Sequence, residues 1–304
     1  MAKLTKSITY YRSDIGSFEK EGSDKSYLFQ IKEYNKDGHL VLESEYRPNG
    51  IKELEILYDY DQNQNLLSKH TLYPLEETEE KLVHIFNSNG QKIRDENYFG
   101  EDLFETLNYE YDEKGNVISQ SRVDEDENEI EKQLTVFDEN GKISKQSFYA
   151  NGDLEREVEF EYNENGICVR EKHLKVENNM KETIEYVYNE AGKKTSSTSM
   201  DGDNNIIGYI DVEYDESMNP LKYTSETSGF YNSKAINQLT YDEQNRIIEN
   251  EYFDVLNNFL VSKEKIFYDE EGNIIEEEIF EIKPETSLKK THYRLQLKYD
   301  FYVD

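Results

Sequence analysis

The sequence predicts an all-β fold in which tandem hairpin repeats of about 26 residues form a long antiparallel meander, coiled into a solenoid-like or partly curled ribbon. Three observations carry this expectation. One motif returns at near-constant spacing, the residues between its copies alternate with period two, and no segment has a helical period.

The motif is an aromatic, then Asp or Asn, two polar residues, usually Gly, and an apolar residue shortly after. Its aromatics are Tyr34, Tyr60, Phe86, Tyr111, Phe137, Tyr162, Tyr188, Tyr214, Tyr241 and Tyr268. The intervals between them are 26, 26, 25, 26, 25, 26, 26, 27 and 27 residues, a register that chance does not hold. The next residue is Asp or Asn in every copy: Asn35, Asp61, Asn87, Asp112, Asp138, Asn163, Asn189, Asp215, Asp242 and Asp269. Four places after the aromatic stands Gly38, Gly90, Gly115, Gly141, Gly166, Gly192 or Gly272, replaced in three copies by Gln64, Met218 and Asn245. This is the chemistry of a type I turn closed by a G1 bulge: Asp or Asn caps its own turn, and Gly takes the left-handed conformation. Asn245 tolerates that conformation. Gln64 and Met218 would be strained in it, so those two units are expected to turn differently.

Between the turns the chain alternates as strands do. Leu107, Tyr109 and Tyr111 sit two apart with Asn108 and Glu110 between them, and Val158-Glu159-Phe160-Glu161-Tyr162 repeats the pattern. A looser second turn divides each unit, as at Pro48-Asn49-Gly50, Ala150-Asn151-Gly152, Glu177-Asn178-Asn179 and Asp201-Gly202-Asp203. Roughly twenty strands at about 4.8 Å each would make a ribbon on the order of 95 Å long. Such a ribbon is expected to coil, sheltering its Tyr and Phe ladders and turning its acidic face outward. Tyr suits a narrow core because its hydroxyl can reach water while its ring is buried.

No composition break divides the array, so residues 1–304 read as one repeat domain. Residues 1–30 form a degenerate N-terminal cap around Tyr10-Tyr11, residues 31–283 hold about ten hairpin repeats, and residues 284–304 supply a C-terminal capping strand. The interval from Tyr268 to Tyr299, which contains Pro284, stretches to 31 residues.

Composition bounds the rest. Hydrophobic residues make up 35%, charged residues 33%, and the net charge is −31, values that lean toward disorder. The 25 Tyr and 14 Phe point the other way, because disordered chains are poor in aromatics. The start, MAKLTKSITYYRSD, lacks an apolar signal-peptide core, and no run approaches eighteen apolar residues. Cytoplasmic residence without membrane contact is the expectation, and the single Cys168 fits it.

The turn motifs Tyr111-Asp112-Glu113-Lys114-Gly115-Asn116-Val117 and Tyr268-Asp269-Glu270-Glu271-Gly272-Asn273-Ile274 resemble the YD repeats of the Rhs family. The second turn, as in Phe148-Tyr149-Ala150-Asn151-Gly152, is similar to the MORN-variant repeats of some antitoxin-like proteins. The resemblance spans roughly residues 31–300 and implies a strand–turn–strand architecture. In the Rhs family such repeats wind into a β-shell around a toxic C-terminal domain. These 304 residues are too few for that shell, show no shell-sealing segment and carry no toxin domain after the array, so the shell function is not carried over.

A search for chemistry assigns no catalytic, cofactor-binding or metal-ligating residue. His39, His70, His84, His173 and His292 fall in different units without ligand spacing, and none pairs with Cys168. Asp124-Glu125-Asp126-Glu127-Asn128 and Asp201-Gly202-Asp203-Asn204-Asn205 begin like calcium loops. They lack the sixth-position Gly (Glu129, Ile206) and the twelfth-position Glu (Thr135, Val212), so solvated turns are expected. The sequence therefore points to a non-catalytic protein-binding scaffold, an immunity or antitoxin protein for a basic toxin being the sharper form. Phosphate repulsion disfavours direct nucleic-acid binding, and no small-molecule ligand is expected. The alternatives are a carbohydrate-binding module using exposed tyrosines such as Tyr231, or a structural part of a surface or secretion assembly. The binding face stays unassigned, although the rule-breaking units at Tyr60 and Tyr214 are places to look.

Overall fold

The computed structural model describes residues 4–17, 20–21, 25–228, 232–283 and 289–303. Among them every regular element is a β-strand, and no helix occurs. Beyond one short hairpin, Gly16–Ser17 with Lys20–Glu21, the strands run seven to thirteen residues and each pairs antiparallel with its chain neighbours. The antiparallel meander is as expected. Its ends are not.

The strand Thr5–Asp14 hydrogen-bonds on one side to Lys289–Phe301, with Ile8 opposite Tyr299, and on the other to Tyr27–Tyr34, with Thr9 opposite Ile31. The strand order therefore closes on itself as a 22-stranded antiparallel β-barrel. The solenoid-like open ribbon expected from the repeat is corrected. The reason lies in edge chemistry: an open ribbon leaves two rows of unpaired N–H and C=O groups, and one strand shared between both edges satisfies them together.

The turns form as the motif requires. In each one the backbone N–H of the Asp or Asn donates to the carbonyl four residues on, and the left-handed residue donates back, as in Asp112 N to Asn116 O at 2.9 Å and Gly115 N to Asp112 O at 3.0 Å. The Asp112 carboxylate then accepts from Lys114 N, Asn116 N and Asn116 Nδ2 at 2.8–2.9 Å. Gln64 and Met218 are a correction. They make the same turn, at φ 69° and 64°, because Asp61 and Asp215 hold it with the same bonds to Asn65 and Asn219. Met218→Gly is expected to stabilise the fold by about 0.5–1 kcal/mol, the left-handed strain less the glycine entropy, read as a higher urea midpoint. These bonds also hold the carboxyls of Asp61, Asp112, Asp124, Asp201, Asp215 and Asp269 below the usual range, mainly through the paired Asn side chains or backbone. A carboxyl depressed in the fold adds stability above its unfolded value near 3.9, and that stability is lost as pH falls through the folded value. The thermal midpoint is thus expected to drop steadily below about pH 4.

The motif tyrosine has a role its position alone does not reveal. Between successive hairpins the ladder stops short of the turn, and in seven of the repeats the carbonyl six residues after the motif aromatic is met by a side chain instead. Arg170, for example, still pairs with Glu185, whereas Cys168 lies beyond the ladder. The hydroxyl of the next unit's tyrosine fills the gap, as Tyr188 Oη donates to Cys168 O at 2.8 Å. The same step recurs from Tyr60 to Leu40, Tyr111 to Lys92, Tyr162 to Ile143, Tyr241 to Pro220, Tyr268 to Ile247 and Tyr299 to Ile274. Each ring therefore lies across the sheet, half-buried, with its hydroxyl on protein rather than in water. Tyr111→Phe should cost about 1 kcal/mol, the net worth of one such bond, read by equilibrium unfolding.

The chain divides into two compact units, one made of Met1–Glu79, Glu213–Thr224 and Lys234–Asp304, the other of Glu80–Val212 and Ser225–Ser233. In the first, Ile56, Ala235, Ile282, Leu295 and Leu297 are buried together with Gln30, Ser44, Ser68 and Thr71. In the second, Val158 is the one buried aliphatic among the described residues, joined by Asp95, Thr106, Ser119, Thr135 and Ser147. The core is thin, with small polar Ser and Thr side chains buried beside the few aliphatic ones.

Candidate functional site

The five histidines each have a partner of their own. Four meet one carboxylate each: His70 with Glu79 at 3.1 Å, His84 with Asp95 at 2.5 Å, His173 with Glu171 at 3.0 Å and His292 with Glu278 at 2.8 Å. His39 instead packs on Tyr60, with ring centroids 4.8 Å apart. Cys168 is half-buried, and burial pushes its thiol up, away from the reactive thiolate. Among the described residues no group of three or more His, Cys, Asp or Glu could hold a metal ion. In the calcium-like turns, Asp124 and Asp201 spend both carboxylate oxygens on Asn128 and Asn205. Tyr231 lies outside the described residues.

Sequence reasoning missed one cluster. Asp95 is buried on the strand Lys92–Phe99 and accepts from Lys92 Nζ at 2.8 Å and Tyr109 Oη at 2.6 Å, with His84 Nδ1 at 2.5 Å. Burial pushes its carboxyl up, but the bonds from Lys92, Tyr109 and His84 outweigh burial and hold it below the usual range. An ionised acid held by three such contacts acts as a brace between strands, not a proton donor. The step repeats where a tyrosine precedes the motif aromatic by two: Tyr58 Oη meets Glu43 at 3.4 Å and Tyr186 Oη meets Glu171 at 2.9 Å. Burial, then Glu43, raises Tyr58 to about 12. The repeat register carried the signal: these carboxylates all stand nine residues after a motif aromatic.

In the second unit one strand has faces that differ in charge. On the strand Asp153–Tyr162 one face carries Asp153, Glu155, Glu157, Glu159 and Glu161. Lys145 reaches Glu157 at 2.6 Å and Arg170 reaches Glu161 at 2.8 Å, whereas Asp153 and Glu155 are exposed and have no ion pair among the described residues. The other face carries Leu154, Arg156, Val158, Phe160 and Tyr162. There the register sets Gln120 opposite Gln133, Gln133 opposite Phe148, Phe148 opposite Arg156 and Arg156 opposite Lys175. This row of five lines a groove of about 860 Å³, which Leu107, Leu154 and the acids Glu131, Asp153, Glu155 and Glu177 also line. The Arg156 guanidinium lies 4.0 Å from the Phe148 ring centroid. Arg122 also lines the groove but is tied to Glu105 at 3.0 Å and Glu131 at 3.1 Å.

No protein-family model matches the chain, and no curated protein matches it. Among solved structures it is similar to the TcdB2-TccC3-TEV chain, at 15% identity and a TM-score of 0.45 over 87% of this chain and 15% of that one. The Photorhabdus luminescens Tc holotoxin pore with TccC3-D651A matches at 14% identity and 0.44, over 95% of this chain and 18% of that one. A porin-like protein from Bacteroides uniformis matches at 8% identity and 0.31, over 98% of both chains. This chain thus spans less than a fifth of the length of the toxin-complex chains it matches.

Proposed function

We propose that this protein is a non-catalytic β-repeat scaffold that binds a basic protein partner, an immunity or antitoxin role being its sharper form. The observation that carries the reading is the carboxylate face of Asp153–Tyr162, where exposed Asp153 and Glu155 stand free of ion pairs among the described residues, in a chain of net charge −31. Uncompensated carboxylates aligned on a rigid strand attract a cationic surface at long range and orient it on arrival. Strand addition does not suit the closed ring, whose strands all have partners on both sides, so recognition falls to side chains.

The test is coexpression with a small basic protein encoded beside it, followed by affinity measurement at about 50 and about 300 mM salt. A 1:1 complex that weakens at least about 10-fold with salt, and again with Glu155→Lys plus Glu159→Lys, supports the reading. No complex, or one indifferent to both salt and charge reversal, overturns it.

A further inference from the structure

We propose that the groove along the row from Gln120 to Lys175 is a binding site for an organic anion, an acidic head group on a flat apolar body. The inference does not rest on the scaffold reading: it concerns the cations Arg156 and Lys175, although Asp153 and Glu155 also line the groove.

Three observations on that face converge. First, the second unit has four arginines, and three bind glutamate: Arg94 with Glu96 at 2.7 Å, Arg122 with Glu105 at 3.0 Å, and Arg170 with Glu185 at 2.6 Å. Arg156 alone has no carboxylate within ion-pair distance among the described residues.

Second, its cross-strand neighbour is another cation. Lys175 stands directly opposite Arg156, is exposed and likewise has no ion pair among the described residues. Like charges in opposed positions destabilise a sheet, so the pair costs the fold something that a bound anion would return. Third, the geometry around them suits a ligand. The Arg156 plane is held on the Phe148 ring, which leaves its N–H edge free for a bidentate acid. Phe148, Leu154 and Leu107 offer apolar surface, and the Gln133 and Gln120 amides continue the row with donors and acceptors for polar substituents.

The head group would sit between Arg156 and Lys175 and the flat body over Phe148. No bond is made or broken. The probe is 8-anilinonaphthalene-1-sulfonate, an aromatic anion whose emission rises in apolar surroundings, titrated against the native full-length protein. One saturable site per chain is expected, weakened at least about 10-fold in Arg156→Gln plus Lys175→Gln. Phe148→Leu should lower affinity less, and Lys145→Gln, on the acidic face, should leave it unchanged. Misfolding would not imitate this result, because a loosened core raises dye emission instead of abolishing it. Competition by benzoate but not by inorganic phosphate would show that the apolar body is recognised together with the charge. Absence of a saturable site, equal binding by the double variant, equal loss in Lys145→Gln, or displacement by phosphate as effective as by benzoate would overturn the proposal.

Discussion

Removal of residues 1–14 is expected to abolish cooperative unfolding and convert the protein into a self-associating species. The strand Thr5–Asp14 holds nine register positions against Lys289–Phe301 and six against Tyr27–Tyr34. Its loss strips both neighbours of a ladder at once and uncovers Leu295 and Leu297, each only 8% exposed. Two long unpaired edges then face solvent, which is the usual template for edge-to-edge association. The cost should exceed about 5 kcal/mol, the whole stability of a marginal domain. Light scattering and urea denaturation read the effect, and a synthetic peptide of residues 1–14 added in trans should restore the transition by strand addition. A truncated protein that stays monomeric with an unchanged midpoint would show that closure is dispensable.

The second large effect is alkaline. Burial, followed by neighbouring Tyr34, Tyr299 and Glu277, pushes Tyr10 up to about 12, and burial with Glu43 does the same to Tyr58. Burial also raises Tyr60, Tyr162, Tyr188, Tyr241, Tyr268 and Tyr299, six of the tyrosines whose hydroxyls close the ladder gaps. A phenol raised in the fold binds its proton more tightly there than in the unfolded chain. Its stabilisation is complete below about pH 10 and is lost as pH rises through the folded value. Tyr10 and Tyr58 should each forfeit about 1–2 kcal/mol, a shift of about two units discounted for their partial exposure. The phenolate also cannot donate, so each ionised motif tyrosine strands a carbonyl. Phenolate absorbance and circular dichroism should therefore change together in one step between about pH 10 and 12. Tyrosines that ionise near 10 while the strand signal persists would refute the hydroxyl-to-carbonyl role.

Turns and strands were legible because their causes are local. Asp112 caps a turn that ends at Asn116, and Gly115 needs its left-handed φ whatever lies elsewhere. Met218 shows the limit of that logic: residue preference marked it as an exception, yet the bonds from Asp215 outweigh about 1 kcal/mol of strain. The tyrosine hydroxyl was misplaced in water because its partner lies about twenty residues back and emerges only where the inter-hairpin ladder runs out. The groove was not legible at all. Arg156 and Lys175 become neighbours through a register set by the Asn163–Gly166 turn, and Phe148 joins them through a bulge between Phe148 and Tyr149.

The amino-acid sequence by itself determined the β class, the repeat length and the ten tight turns, since each rests on contacts within a few residues that any copy of the motif can make. Only the tertiary structure decided that the meander closes, because Thr5 must meet Phe301 and no residue near either one records the other. It alone decided which charges end up facing each other, because cross-strand register depends on every bulge and turn between them.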